Sequence, residues 1–143
     1  MTKPIEILLV EDDPYDAQLT ALAFRRGKIA TRLVVVEDGV EALAYLREEG
    51  PYAGSPRPDL ILLDVNLPKK GGRQVLAEVK DDPELRRIPI VVFTGSDADE
   101  DVLSSYDLHA NAYVRKPTDP EAFTGVLQAI HDFWLRVVTL PPA

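Results

Sequence analysis

Asp59-Leu60-Ile61-Leu62-Leu63-Asp64-Val65-Asn66-Leu67-Pro68 decides the fold. Leu60 to Leu63 is a short apolar run, and an acid, Asp64, stands at its carboxyl end. Three other runs end in the same way. Ile5 to Val10 is followed by Glu11-Asp12, Ile90 to Phe93 by Thr94, and Ala112 to Val114 by Arg115-Lys116. Ile5 to Val10 is apolar throughout except for Glu6, as expected of a strand covered on both faces. Neighbouring parallel strands share one carboxyl edge, which is where such sheets place ligands. Three acids, a hydroxyl and a lysine are therefore expected at one spot.

Outward from these runs, the pattern alternates between strand and helix. Asp13-Pro14 starts a helix, with Asp capping and Pro at the first helical position. Leu19, Leu22 and Ala23 give its inner face and Gly27 ends it. Leu33 to Val36 is a β-branched strand, followed by a helix from Gly39 to Glu49 with Val40, Leu43 and Ala44 on one side. Residues 50–58, rich in Gly, Pro and Ser, read as a loop. Further helices are expected over Gly72 to Asp81, Asp99 to Asp107, and from Asp119-Pro120 towards Trp134. Five strands and five helices in strict alternation specify an α/β, doubly wound, five-stranded parallel sheet with right-handed crossovers. In the flavodoxin-like order 2-1-3-4-5, strands one and three straddle the crevice, so Asp64 faces Glu11-Asp12.

The 143 residues fit one domain. A net charge of -8 argues against a DNA partner, because neutralising phosphates takes clusters of Lys and Arg. Without Cys there are no disulfides, thiolate metal sites or cysteine nucleophiles. No segment reads as a signal peptide or a membrane span, so the expected address is cytoplasmic.

Three carboxylates this close repel one another unless a cation sits between them, and an all-oxygen site selects Mg2+ over softer metals. An acid ending a strand commonly caps a turn, but Asp64 has the other acids for company. Lys116 beside Pro117 can hold a phosphoryl oxygen as a point charge, and Thr94 can donate its hydroxyl to the same group. Taken alone, each of these two is an ordinary surface lysine or strand-end threonine.

Ile7 to Pro14, Asp59 to Pro68, Val91 to Ser96 and Ala112 to Pro117 together resemble the receiver domain of response regulators in bacterial two-component signalling. Leu63 to Gly72 and Phe133-Trp134-Leu135 also resemble the single-domain regulators paired with bacterial phytochromes. The resemblance implies a stand-alone receiver spanning 1–143 with no output domain, charged by a histidine kinase such as a bacteriophytochrome. It would then be a regulator whose only chemistry is self-catalysed phosphoryl uptake and loss. Asp64 would be the phosphorylated aspartate. Asp12 would ligate Mg2+ directly and Glu11 through water, with Asp64 and the Asn66 carbonyl completing the protein ligands. Thr94 and Lys116 would bind phosphoryl oxygens, and Tyr113 would report the phosphorylated state by its rotamer. A histidine phosphotransfer protein is a further candidate partner. Glu11 stands where the plainest pattern has Asp, and Gly95 leaves the approach to the phosphoryl group open.

An aspartyl-phosphate phosphatase would carry its nucleophile on strand one as Asp-x-Asp, which Asp12-Asp13-Pro14 does not provide. Lys69-Lys70 reads as a solvated turn, Asp97 to Asp101 as the exposed start of a helix, and Ser96 as a helix cap or a tuner of hydrolysis. Along helix five, Phe123, Val126, Leu127, Ile130, Trp134 and Val137 form an inner stripe. Phe133 lies at its margin and Leu135 faces solvent. With the apolar tail Val138 to Ala143, this predicts a homodimer through helix five and the tail.

Overall fold

The computed structural model describes residues 3–142. Its strands are β1 (Ile5–Val10), β2 (Thr31–Val36), β3 (Leu60–Leu63), β4 (Ile90–Thr94) and β5 (Ala112–Arg115). All pair in parallel, in the order β2-β1-β3-β4-β5. The helices are α1 (Pro14–Arg26), α2 (Gly39–Leu46), α3 (Gly72–Asp81), α4 (Asp99–Asp107) and α5 (Pro120–Asp132). The expected doubly wound fold is the observed one.

The pleat sorts the strand residues onto two cores. Leu8, Val10, Ile61, Leu63, Ile90 and Val92 face α2 and α3, where Leu43, Leu46, Val75, Leu76 and Val79 cover them. Ile7, Leu9, Leu60, Leu62, Val91 and Phe93 face α1 and α5, covered by Ala23, Phe24, Phe123, Leu127 and Ile130. Both faces are dry, which is why these strands read as unbroken apolar runs.

Helix starts follow the local chemistry. The Asp13 carboxylate accepts from the Tyr15 and Asp16 amides ahead of Pro14, Asp38 accepts from Glu41, and Asp119 from Ala122. Helix α2 stops at Leu46, short of Glu49, because Glu48 turns left-handed (φ 55°). A single 3₁₀ turn, Gly50–Tyr52, opens the loop that follows. On α1, Leu19 and Ala23 pack inward but Leu22 is exposed; Phe24 takes the central position, edge-on to His131 of α5 at 5.7 Å. On α2, Leu43 is buried, whereas Val40 is half exposed; Ala42, Tyr45 and Leu46 complete that face.

Helix five departs most from the expected stripe. After Asp132 the chain makes a π turn, Phe133–Val137, closed by the Val138 amide donating to the Phe133 carbonyl at 2.9 Å. In an α-helix a residue five positions on lies about 140° around the axis. The wider turn instead brings Leu135 close to the face of Ile130. Leu135 is therefore buried, at 8% exposure, and Val137 is turned out at 71%, the reverse of the expected arrangement. Phe133 is half exposed at 52%. The tail folds back on its own domain. Leu140 packs against the α1–α5 core, and Pro141 and Pro142 lie beside Arg57, Pro58 and Arg87.

Candidate functional site

Strand register builds the site. Val10 of β1 pairs with Leu63 of β3, and Leu63 with Val92 of β4. The ladder runs one step beyond the strands: the Asp64 amide donates to the Val10 carbonyl at 3.1 Å and the Lys116 amide to the Thr94 carbonyl at 2.8 Å. Glu11, Asp64, Thr94 and Lys116 thus lie at one level along the carboxyl edge. Helix α3 closes in beneath. A Cβ on Gly72 would stand 2.2 Å from the Asp64 carbonyl oxygen, so only glycine admits that approach.

Each oxygen of Asp64 has its own partners. Oδ1 accepts from the Thr94 hydroxyl at 2.7 Å and from the Asn66 amide at 3.0 Å. The second bond is the turn-capping role that a strand-end Asp commonly has. Oδ2 accepts from Lys116 Nζ at 2.9 Å. The same ammonium donates to Glu11 Oε1 and, at 2.9 Å, to Asp16 Oδ2. Three N–H groups therefore meet three carboxylates, the full donor capacity of a lysine. Asp64, Glu11 and Thr94 are buried, Lys116 nearly so, and Asp12 is exposed.

Asp16 was not among the residues expected here. Its only sequence signal is an acid in the first turn of α1, where acids are common for helix-dipole reasons alone.

The electrostatics follow from this packing. Burial pushes the Glu11 carboxyl up to about 7, even though Lys116 pulls it down through a hydrogen bond and its charge. Burial works to lower Lys116, but its bonds to Glu11, Asp16 and Asp64 outweigh it and hold the ammonium above the ordinary lysine value. Carboxylate oxygens of Glu11, Asp12 and Asp64 lie within 4.8 Å of one another. At that spacing each pair of charges repels by roughly 3 kcal/mol at an effective dielectric near 20. Lys116 relieves two of the three acids but makes no recorded contact with Asp12. An all-oxygen donor set with surplus negative charge and one member open to solvent fits a hard divalent cation.

Beyond the acids, the Tyr113 hydroxyl donates to the Ser96 carbonyl at 2.9 Å. The Ser96 hydroxyl bonds Asp101, which also pairs with Arg73. The β4–α4 connection is thus held from β5, α3 and α4. Asp101 consequently is not part of a freely solvated acidic run. A side chain at Gly95 would meet nothing within 4 Å, so the edge beside Thr94 is open. Lys69 keeps to a solvated turn, paired loosely with Asp38 at 3.4 Å, while Lys70 is tied to Glu78 at 2.7 Å. His131 is fully buried against Gly27 and Phe24, away from these groups.

Comparison with known proteins gives a consistent picture. The sequence profile described as the response regulator receiver domain matches residues 7–128. Response regulator Rcp1 of Synechocystis sp. is 48% identical over 140 residues, covering 98% of this chain and 95% of that protein. Among solved structures, the phosphorylated cyanobacterial phytochrome response regulator RcpA superposes with a TM-score of 0.95 at 48% identity, covering 98% of this chain and 100% of that one. The Mn2+-bound form of Rcp1 superposes with the same score at 47% identity, over 97% and 100%.

Proposed function

The chain belongs to the response regulator receiver domain family, and from that premise we propose that it is a stand-alone receiver whose Asp64 takes a phosphoryl group from a phosphohistidine of a sensor kinase. The observation that carries this reading is the division of labour at Asp64. One oxygen is bound by Thr94 and Asn66, the other by Lys116. An Asp64 oxygen attacks phosphorus, the phosphorus–nitrogen bond of the donor breaks, and the imidazole keeps the electron pair and takes a proton from solvent. Lys116 meets the incoming charge, and Thr94 is already turned towards the carboxylate that would carry the group.

Glu11, Asp12, Asp64 and the Asn66 carbonyl would hold Mg2+. When bound, the ion neutralises phosphoryl oxygens as the group arrives. The added group brings about 1.5 to 2 negative charges to the sheet edge. Thr94 bonds the new oxygens, and the tie from Tyr113 to Ser96 couples that event to α4 and β5.

Similarity to RcpA and Rcp1 along nearly their whole lengths favours a phytochrome-type kinase as donor. The phosphoryl group can pass on to a histidine phosphotransfer protein. The reading places the exchange in the cytoplasm, where kinases meet ATP. Catalysis is confined to self-phosphorylation and hydrolysis.

The test is transfer from an autophosphorylated kinase. Wild type should gain acid-labile, hydroxylamine-sensitive phosphate that a chelator prevents, and the near-isosteric Asp64→Asn should gain none. Full uptake by Asp64→Asn would sink the assignment.

A homodimer completes the reading, with its surface redrawn by the π turn. Phe133 and Val137 project outward. An apolar groove of about 430 Å3 beside the β5 edge is lined by Ala112, Val114, Val126, Ile130, Phe133 and Trp134. A two-fold pair closes such a surface on itself, and a stable one buries about 1,000 Å2 or more in total. The tail, folded on its own domain, is left out of this contact. Sedimentation at micromolar concentration should show a dimer that Phe133→Ala with Val137→Ala weakens. A monomer with and without beryllofluoride would remove the dimer from the account.

A further inference from the structure

Lys116 has three N–H groups and three carboxylate partners, so it cannot reach a phosphoryl oxygen without surrendering a bond. Two of the three are bonds that activation would claim. Glu11 belongs to the acidic cluster that fits a cation, and Asp64 exchanges its carboxylate charge for the phosphoryl group itself. Asp16 alone has no second duty. Its Oδ2 lies 2.9 Å from Nζ, and its side chain is mostly buried at 21% exposure.

The backbone of Asp16 is fixed independently. Its amide donates to the Asp13 cap at 3.1 Å, and its carbonyl accepts from the Thr20 hydroxyl at 2.8 Å. The carboxylate therefore leaves a rigid first turn of α1 and reaches across a cleft of about 350 Å3 that Lys116 and Gly95 share.

We propose that Asp16 is a positioning residue, the constant anchor of Lys116, which keeps the ammonium aimed at Asp64 after Glu11 and Asp64 have been released from it. The inference rests on the receiver reading above. Its physical content is that a flexible four-carbon side chain loses rotamer freedom when it binds a phosphoryl oxygen. An anchor on α1 meets that cost before the phosphoryl group arrives. It also ties α1 to the β5–α5 connection through a single ammonium.

The test uses Mg2+ with beryllofluoride as the phosphoryl mimic, on wild type, Asp16→Asn and Asp16→Ala. Wild type binds the mimic. Asp16→Ala should bind about tenfold more weakly, as expected for losing one charge-assisted bond, with Asp16→Asn in between because it keeps an acceptor without the charge. A second readout needs neither metal nor mimic. The side-chain ammonium resonance of Lys116 in 15N-lysine protein should be sharp in wild type and broadened in Asp16→Ala, which a merely structural change in α1 would not produce. Wild-type affinity and a sharp ammonium signal in Asp16→Ala would overturn the anchor. Tighter binding would overturn it too, by showing that Asp16 competes with the phosphoryl group for Lys116. If wild type itself failed to bind, the receiver reading would fall, a result distinct from failure of the anchor alone.

Discussion

Two lysines at opposite ends of the sheet use the same bonding capacity for opposite ends. At the carboxyl edge, Lys116 donates to Glu11, Asp16 and Asp64. At the amino edge, Lys80 donates to the carbonyls of Arg86 and Ile88 at 3.0 and 2.9 Å, and to Asn111 Oδ1 at 3.2 Å. Asn111 in turn accepts from the Ile90 amide, so Lys80 stitches the end of α3 to the starts of β4 and β5. Burial pushes Lys80 below the ordinary lysine value, since its partners offer dipoles and no charge. The three carboxylates hold Lys116 above that value. Neutral acceptors make a fixed structural tie. Charged acceptors that can be neutralised one at a time make a tie that chemistry can rearrange, and only that kind suits a phosphorylation site.

The largest expected effect separates the two lysines by function. Lys116→Ala should weaken beryllofluoride binding by about a hundredfold, the upper range for a lost hydrogen bond to a charged group, while Lys80→Met leaves it unchanged. Titration by intrinsic fluorescence or calorimetry decides this, and equal losses in both variants would erase the distinction. Mg2+ alone should bind Lys116→Ala at least as tightly as wild type, because the ammonium then no longer shares its acids.

Stability should invert the ranking. Lys80→Met leaves two carbonyls and an amide oxygen short of a donor and should cost about 2 kcal/mol in urea unfolding. Mg2+ should not restore it. Lys116→Ala leaves Glu11, Asp16 and Asp64 without their ammonium, and there Mg2+ should recover most of the loss. A Mg2+-dependent recovery in Lys80→Met would break the comparison.

The smallest effect is in pH dependence. With Lys80 lowered in the folded state, the unfolded chain binds the extra proton, so this group adds stability as pH rises towards the ordinary lysine pKa. With Lys116 raised, the folded chain keeps the proton. Its contribution is complete below the ordinary lysine pKa and is lost as pH climbs above it. Alkaline unfolding curves should therefore lose their rising component in Lys80→Met and their falling component in Lys116→Ala. The same slope in both would contradict the opposite shifts.

Lys116 could be found in the sequence and Lys80 could not. Lys116 stands one residue past an apolar run, and Glu11, Asp64 and Thr94 directly after theirs, and parallel register carries each such residue to the same edge. Lys80 lies at the end of a helix, like many solvated lysines, and its partners come from 6 to 31 residues away. Asp16 was hidden for the same reason. Nothing local distinguishes it from a first-turn acid, and its meeting with Lys116, 100 residues on, depends on how α1 packs. Leu135 and Val137 were misplaced for another reason: the 3.6-residue period assumes a regular helix, and one wide turn reverses which side faces the core.

By itself the sequence determined the alternation of parallel strands and helices, the two-sided core and the acids, hydroxyl and lysine of the carboxyl edge. Those follow from hydrophobic periodicity and chain direction, which are local and repeat at every strand. Tertiary structure alone decided that Asp16 joins the site, that the end of helix five turns Phe133 and Val137 outward, and that the tail lies against its own domain. Each of these depends on side chains from distant elements meeting across a packed interface, and their contact energies come into being only once the helices are docked on the sheet.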